Sequence, residues 1–219
     1  MCRKGQTCLF SGYSGNSTDI VLSRLSENGA ISVCSSLRTG KNPSCLCAGA
    51  QTGVFYAGCE QPNRAEILCL RVEKDKLWLG KKYEIPGTGL CHILYTSKGL
   101  FGCCYGSGDV FLMDFLGHVL WHVGQQQGGH AHWGELTPDG KFFTWVDLGM
   151  DCIFFCALKN GVPCGAPWSV RLPKGSGPRQ ILFLKHEYAA VVLETMSKIA
   201  LLHRTGSRWE IVDFVSCTG

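Results

Sequence analysis

An all-β fold assembled from one repeated unit is what this sequence predicts, and three observations carry it. Short apolar runs rich in Val, Ile, Phe, Tyr and Trp recur along the chain, punctuated by Gly, Asn and Asp. That pattern suits strands and tight turns, not helices. The runs also keep a register: aligning the turns at Gly53, Gly99, Gly140 and Glu187 gives spacings of 46, 41 and 47 residues. Within each period the same four-strand order returns. Four strands in a period of this size mark a propeller blade, whereas a sandwich has no reason to repeat that order. The expectation is therefore a β-propeller of four-stranded antiparallel blades, forming a single domain over 1–219.

The elements follow in order. The first unit offers three strands, 7–14, 19–26 and 31–38, matching the second, third and fourth strands of a blade. Each later unit opens with an inner run (43–50, 89–96, 131–137, 178–184). A turn leads to a second run (54–60, 100–106, 142–148, 188–194) and then a third (65–72, 109–115, 151–158, 198–204). An outer run closes the unit (76–85, 118–125, 167–172, 208–215). This makes about nineteen strands, or about four and three-quarter blades. Such an open arc presents unpaired edges and end faces, through which self-association is expected.

Composition excludes several classes of function. The net charge is +4 with Lys and Arg scattered along the chain, so no nucleic-acid partner is expected. No apolar run approaches the roughly 18 residues of a membrane helix. The 14 cysteines form no Cys-x-x-Cys pair and many sit inside apolar runs, where a free thiol acts as a small hydrophobe. Nothing ahead of Thr7 reads as a signal peptide. Reduced cysteines and a cytoplasmic location are expected.

The stretch Gln125–Asp151 concentrates the candidate chemistry. His130 and His132 alternate on an opening strand, so period-two geometry sends them the same way. They suit proton transfer, a metal pair or plain packing. No third ligand sits at a telling spacing, so no metal is expected. Asp147 and Asp151 read as turn-tying residues. Arg179, set by Gly177 and Pro178, either clamps a carboxylate, phosphate or oxyanion, or closes a turn. Glu194 ends an apolar strand; it pairs with Arg179, acts on water or meets solvent. Glu60 holds the parallel place in the second unit. His92 and Tyr105 contact a substrate or pack. His118, His122, His186 and His203 read as surface residues. No P-loop, dinucleotide fingerprint or Ser-His-Asp signature is present, so no cofactor is expected.

Several motifs together resemble a known family. They are Gly12-Tyr13-Ser14, Asn42-Pro43-Ser44, YAGCE at 56–60, Cys91-His92-Ile93 and CYGSGDV at 104–110. The most specific are HAHWGELTPDG at 130–140, VDLGMDCIFF at 146–155 and GSGPRQILF at 175–183. The chain resembles the seven-bladed β-propeller lactonases, best known for 6-phosphogluconolactonase activity and related to carboxy-muconate lactonising enzymes. The resemblance implies an arc covering about two thirds of such a propeller, truncated at its C-terminal side. It implies His130, His132, Arg179 and Glu194 as catalytic residues, with Glu60, His92, Tyr105 and Gln180 around the substrate. Gln180 stands where the family usually has histidine. The implied partner is an anionic sugar lactone. The implied reaction is hydrolysis of 6-phospho-D-glucono-1,5-lactone to 6-phosphogluconate in the pentose phosphate pathway. A non-catalytic binding propeller and a muconate-type lactonising enzyme are the alternatives.

Overall fold

The computed structural model describes residues 6–11, 17–40, 42–124, 127–184 and 187–218. Five antiparallel sheets follow one another along the chain. The first holds β1 (Gln6–Phe10), β2 (Asp19–Leu25) and β3 (Ile31–Arg38). The second holds β4 (Pro43–Ala48), β5 (Val54–Glu60), β6 (Ala65–Glu73) and β7 (Lys76–Ile85). The third holds β8 (Leu90–Thr96), β9 (Gly99–Cys104), β10 (Val110–Met113) and β11 (Val119–Val123). In the fourth, β12 (Ala131–Leu136), β13 (Phe142–Asp147) and β14 (Cys152–Lys159) are followed by the short β15 (Val162–Pro163) and by β16 (Trp168–Arg171), both paired to β14. The fifth holds β17 (Pro178–Leu184), β18 (Tyr188–Leu193), β19 (Lys198–Thr205) and β20 (Arg208–Ser216).

This is the expected series of blades, with β15 as an addition the repeat did not announce. Two sequence readings, the Gly12-Tyr13-Ser14 motif and the surface placement of His186, lie outside the described residues.

Packing between sheets explains the composition of the strands. In the second, third and fourth sheets, inner and middle strands are covered on both faces by neighbouring sheets, so they read as largely apolar runs. Every residue of β9 is buried, whereas β3 and β20 are largely exposed. A separate apolar cluster fills each gap between consecutive sheets. Ile20 and Leu22 meet Ala57 and Leu68; Tyr56 and Ile67 meet Leu100 and Phe111; Phe101 and Cys103 meet Phe143 and Trp145; Val146 and Phe155 meet Val191 and Trp209. Phe101 and Phe143 stack at 3.9 Å, a contact that Gly134 makes room for, because a Cβ there would stand 2.6 Å from the Phe143 ring. The face of the fifth sheet turned away from the fourth leaves Leu182, Val192 and Val215 exposed.

Candidate active site

The inner strands place the site through one repeated irregularity. Their pairing slips between Pro43 and Cys45, Leu90 and His92, Ala131 and Trp133, and Pro178 and Gln180. Each slip is a β-bulge, whose extra residue has no cross-strand partner and is re-aimed by the local bend. The extra residues are Ser44, Cys91, His132 and Arg179. A backbone hydrogen bond recurs beside each bulge. The N–H groups of Glu60, Tyr105, Leu148 and Glu194 donate to the carbonyls of Asn42, Gly89, His130 and Gly177 at 2.8, 2.8, 2.9 and 2.9 Å. Each of four sheets thus contributes two equivalent positions. These eight residues, with Thr195, line one cavity of about 510 Å³.

Carboxylates of the turns hold this frame. Asp147 is buried, and its Oδ1 accepts the N–H groups of His130, Gly149 and Met150 at 2.8, 3.1 and 3.0 Å. Gly149 is required in that turn, since a Cβ would collide with the Gly128 carbonyl. Asp151 accepts from the N–H groups of Gly175 and Gly177 and from the Ser176 hydroxyl at 2.6, 2.9 and 3.1 Å. That clamp fixes the Gly-Ser-Gly-Pro segment from which Arg179 projects.

The charges in the cavity are few and close. Arg179 donates from a guanidinium nitrogen to a Glu194 carboxylate oxygen at 2.5 Å, with both side chains about half exposed. Glu60, across the cavity on the second sheet, has its carboxyl raised above the ordinary range. Burial is the main cause, offset in part by the Ser44 hydroxyl and the Arg179 charge. His132 is pushed down to about 4 by burial and then by Arg179. Its imidazole is therefore neutral at physiological pH, and its Nδ1 is buried without a partner among the described residues. Burial pushes the Cys91 thiol up to about 12, so it stays protonated and is no nucleophile. Among the described residues no group of three His, Cys, Asp or Glu is placed to hold a metal ion. No helix among them is long and apolar enough to cross a membrane.

His132, Arg179, Glu194, Glu60 and Tyr105 therefore converge on one cavity. Three other sequence expectations are corrected. His130 does not line it: the bulge at His132 breaks the alternation that would have sent both histidines the same way. His130 instead stacks on Tyr105 at 4.6 Å and donates from Nδ1 to the Tyr105 carbonyl at 2.7 Å. His92 is buried, stacked on Trp133 at 3.9 Å, with Nε2 donating to the Gly134 carbonyl at 2.9 Å. It packs between the third and fourth sheets and cannot reach a ligand in the cavity. Gln180 follows the bulge, pairs with Val192 and lies outside the lining. Of the surface histidines, His122 is also tied to the buried Asp109 carboxylate at 2.6 Å.

Ser44, Cys91, Leu148 and Thr195 were missed as site residues. The signal for the first two was present in the spacings from Ser44 to Cys91, His132 and Arg179, which are 47, 41 and 47 residues.

With this geometry in hand, comparison with known proteins is decisive on family. The family model described as "Lactonase, 7-bladed beta-propeller" matches residues 7–217. The chain belongs to this lactonase family. The 6-phosphogluconolactonase of Bacillus subtilis (strain 168) is 34% identical over 179 residues, covering 74% of this chain and 51% of that protein. The chain thus spans about half the length of the curated relative it matches. Among solved structures, a protein from Bacteroides uniformis superposes with a TM-score of 0.84 at 21% identity, covering 98% of this chain and 68% of its own. The periplasmic gluconolactonase of Pseudomonas aeruginosa superposes at 0.81 and 18% identity, covering 96% and 68%. At these identities the structures speak for the shared lactonase fold alone.

Proposed function

We propose that the chain hydrolyses a sugar lactone in the cavity between its second and fifth sheets, with 6-phospho-D-glucono-1,5-lactone as substrate. The observation that carries this reading is the convergence of one guanidinium, two carboxylates and a neutral imidazole on equivalent positions of the second, fourth and fifth blades. The name of the Bacillus relative supports the choice of substrate. The free state of every cysteine among the described residues supports work in a reducing compartment, the cytoplasm.

Roles follow from the electrostatics. A lactonase needs a base for water and a donor for the oxyanion. Glu60 is the better base, because burial raises its carboxyl, while Glu194 is engaged by Arg179 and His132 is held too acidic. Glu60 takes a proton from water as the oxygen adds to the lactone carbonyl carbon. Arg179 receives the charge that develops on the carbonyl oxygen, and Glu194 holds the guanidinium in place. Collapse of the tetrahedral intermediate breaks the ring C–O bond, and the ring oxygen recovers the proton from Glu60. The product is the open hydroxy acid. A second reading, a binding propeller without turnover, has one observation in its favour: Arg179, the only cation among the lining residues, is already paired with Glu194, which competes with its use as an oxyanion donor.

Acid release from freshly prepared lactone, corrected for spontaneous hydrolysis, separates the two. The hydrolytic reading expects acceleration that rises with pH through one ionisation above the ordinary glutamate range. It expects that ionisation to persist in His132→Ala, because burial and Arg179 hold the cavity histidine down at about 4. A pH–rate profile whose ionisation is lost in His132→Ala contradicts the assignment of Glu60 as base. Unphosphorylated glucono-1,5-lactone in the same assay reads the contribution of the phosphate.

A further inference from the structure

A second cavity, of about 410 Å³, opens between the second and third sheets and shares no lining residue with the first. Its size falls in the roughly 300–1,000 Å³ range of small-molecule sites. Its wall is aromatic. Tyr56 and Tyr95 stack at 6.1 Å, Tyr95 and Phe115 stack at 5.3 Å, and Tyr56 and Phe115 are tilted at 6.2 Å. Tyr83 fixes one side, its hydroxyl donating to the Phe115 carbonyl at 3.0 Å. Arg71 and Lys81 also line the cavity, and no Asp or Glu does. Among the described residues neither cation takes part in an ion pair.

We infer that this cavity binds a planar aromatic anion, with its ring against the tyrosine and phenylalanine faces and its charge on Arg71 and Lys81. Aromatic walls favour a ring partner through offset and edge contacts about 4.5–7 Å between centroids. Two cations and no carboxylate among the lining residues select the sign of its charge. Burial pushes the Tyr56 hydroxyl up to about 12, so it remains a neutral donor. The ligand class is an aryl carboxylate, sulfonate or phosphate of one or two fused rings.

Isothermal titration of the full chain with naphthalene-2-sulfonate tests this. The expected result is one site per chain. Its affinity falls about tenfold in the Arg71→Ala/Lys81→Ala variant, whose changed side chains are exposed and leave the fold intact. Arg179→Ala leaves the affinity unchanged, and 2-naphthylmethylammonium, of the same shape and opposite charge, binds at least tenfold more weakly. No binding by the sulfonate, equal binding by the ammonium compound, undiminished affinity in the double variant, or loss of binding in Arg179→Ala overturns the inference.

Discussion

Arg179→Ala is expected to lower kcat/KM for the lactone by about 100- to 1000-fold, the usual loss when one donor to a developing oxyanion is removed. The side chain is 49% exposed, so the fold is expected to survive, and an unchanged thermal midpoint should accompany the loss. Arg179→Lys is expected to recover only a small part of the activity. The ammonium keeps the charge but cannot present the planar fork that meets both Glu194 and a carbonyl oxygen. Steady-state kinetics on all three proteins checks this, and an Arg179→Ala variant within threefold of the parent contradicts the role.

The second large effect is structural. Asp147→Ala removes the acceptor for three backbone N–H groups in a buried turn. The expected cost is roughly 2–4 kcal/mol, which for a chain of this size lowers the melting midpoint by roughly 5–15 °C. Asp147→Asn keeps an oxygen in the same place and is expected to be nearly neutral. The carboxyl of Asp147 is raised above its ordinary value, burial outweighing its hydrogen bonds, so the folded protein holds that proton more tightly than the unfolded chain. The stabilisation from this is complete below the ordinary aspartate pKa and is lost as pH rises through the raised value. At neutral pH the ionised side chain is therefore costly to bury, and an amide avoids the cost. Thermal melts of both variants decide the matter; equal destabilisation by Asn and Ala contradicts it.

Much of this fold could be read from the sequence because strand period and turn spacing are local properties. Val54–Glu60, Lys76–Ile85 and Pro178–Leu184 were delimited to the residue. Each lies between turn residues whose backbone demands are unmistakable, such as Gly53 with φ of 80° and Gly177 with φ of 57°. The bulges were not legible, because a bulge belongs to the register between two strands and leaves no mark in one. That is why His130 and His132 were read as twins. It is also why Ser44 and Cys91, quoted only within motifs and carrying no conspicuous chemistry, were not read as site residues although they stand at the positions equivalent to His132 and Arg179. His92 shows a different limit. Histidine on a strand advertises function, but burial against Trp133 pushes its imidazole down to about 4, which makes it a neutral core residue. The pairing of Arg179 with Glu194 was one of the alternatives the sequence offered, and it is present in the structure; their place at a site was implied by the family resemblance.

The central claim is that Glu60 activates water opposite Arg179, and Glu60→Gln tests it most directly. Burial makes the ionised Glu60 costly at neutral pH, so the amide is expected to raise the melting midpoint or leave it unchanged. The same change removes the proposed base and is expected to lower kcat for lactone hydrolysis by about 100-fold or more. A glutamine variant that is as stable as the parent and nearly inactive is the predicted result; one that hydrolyses the lactone at the parental rate contradicts the account.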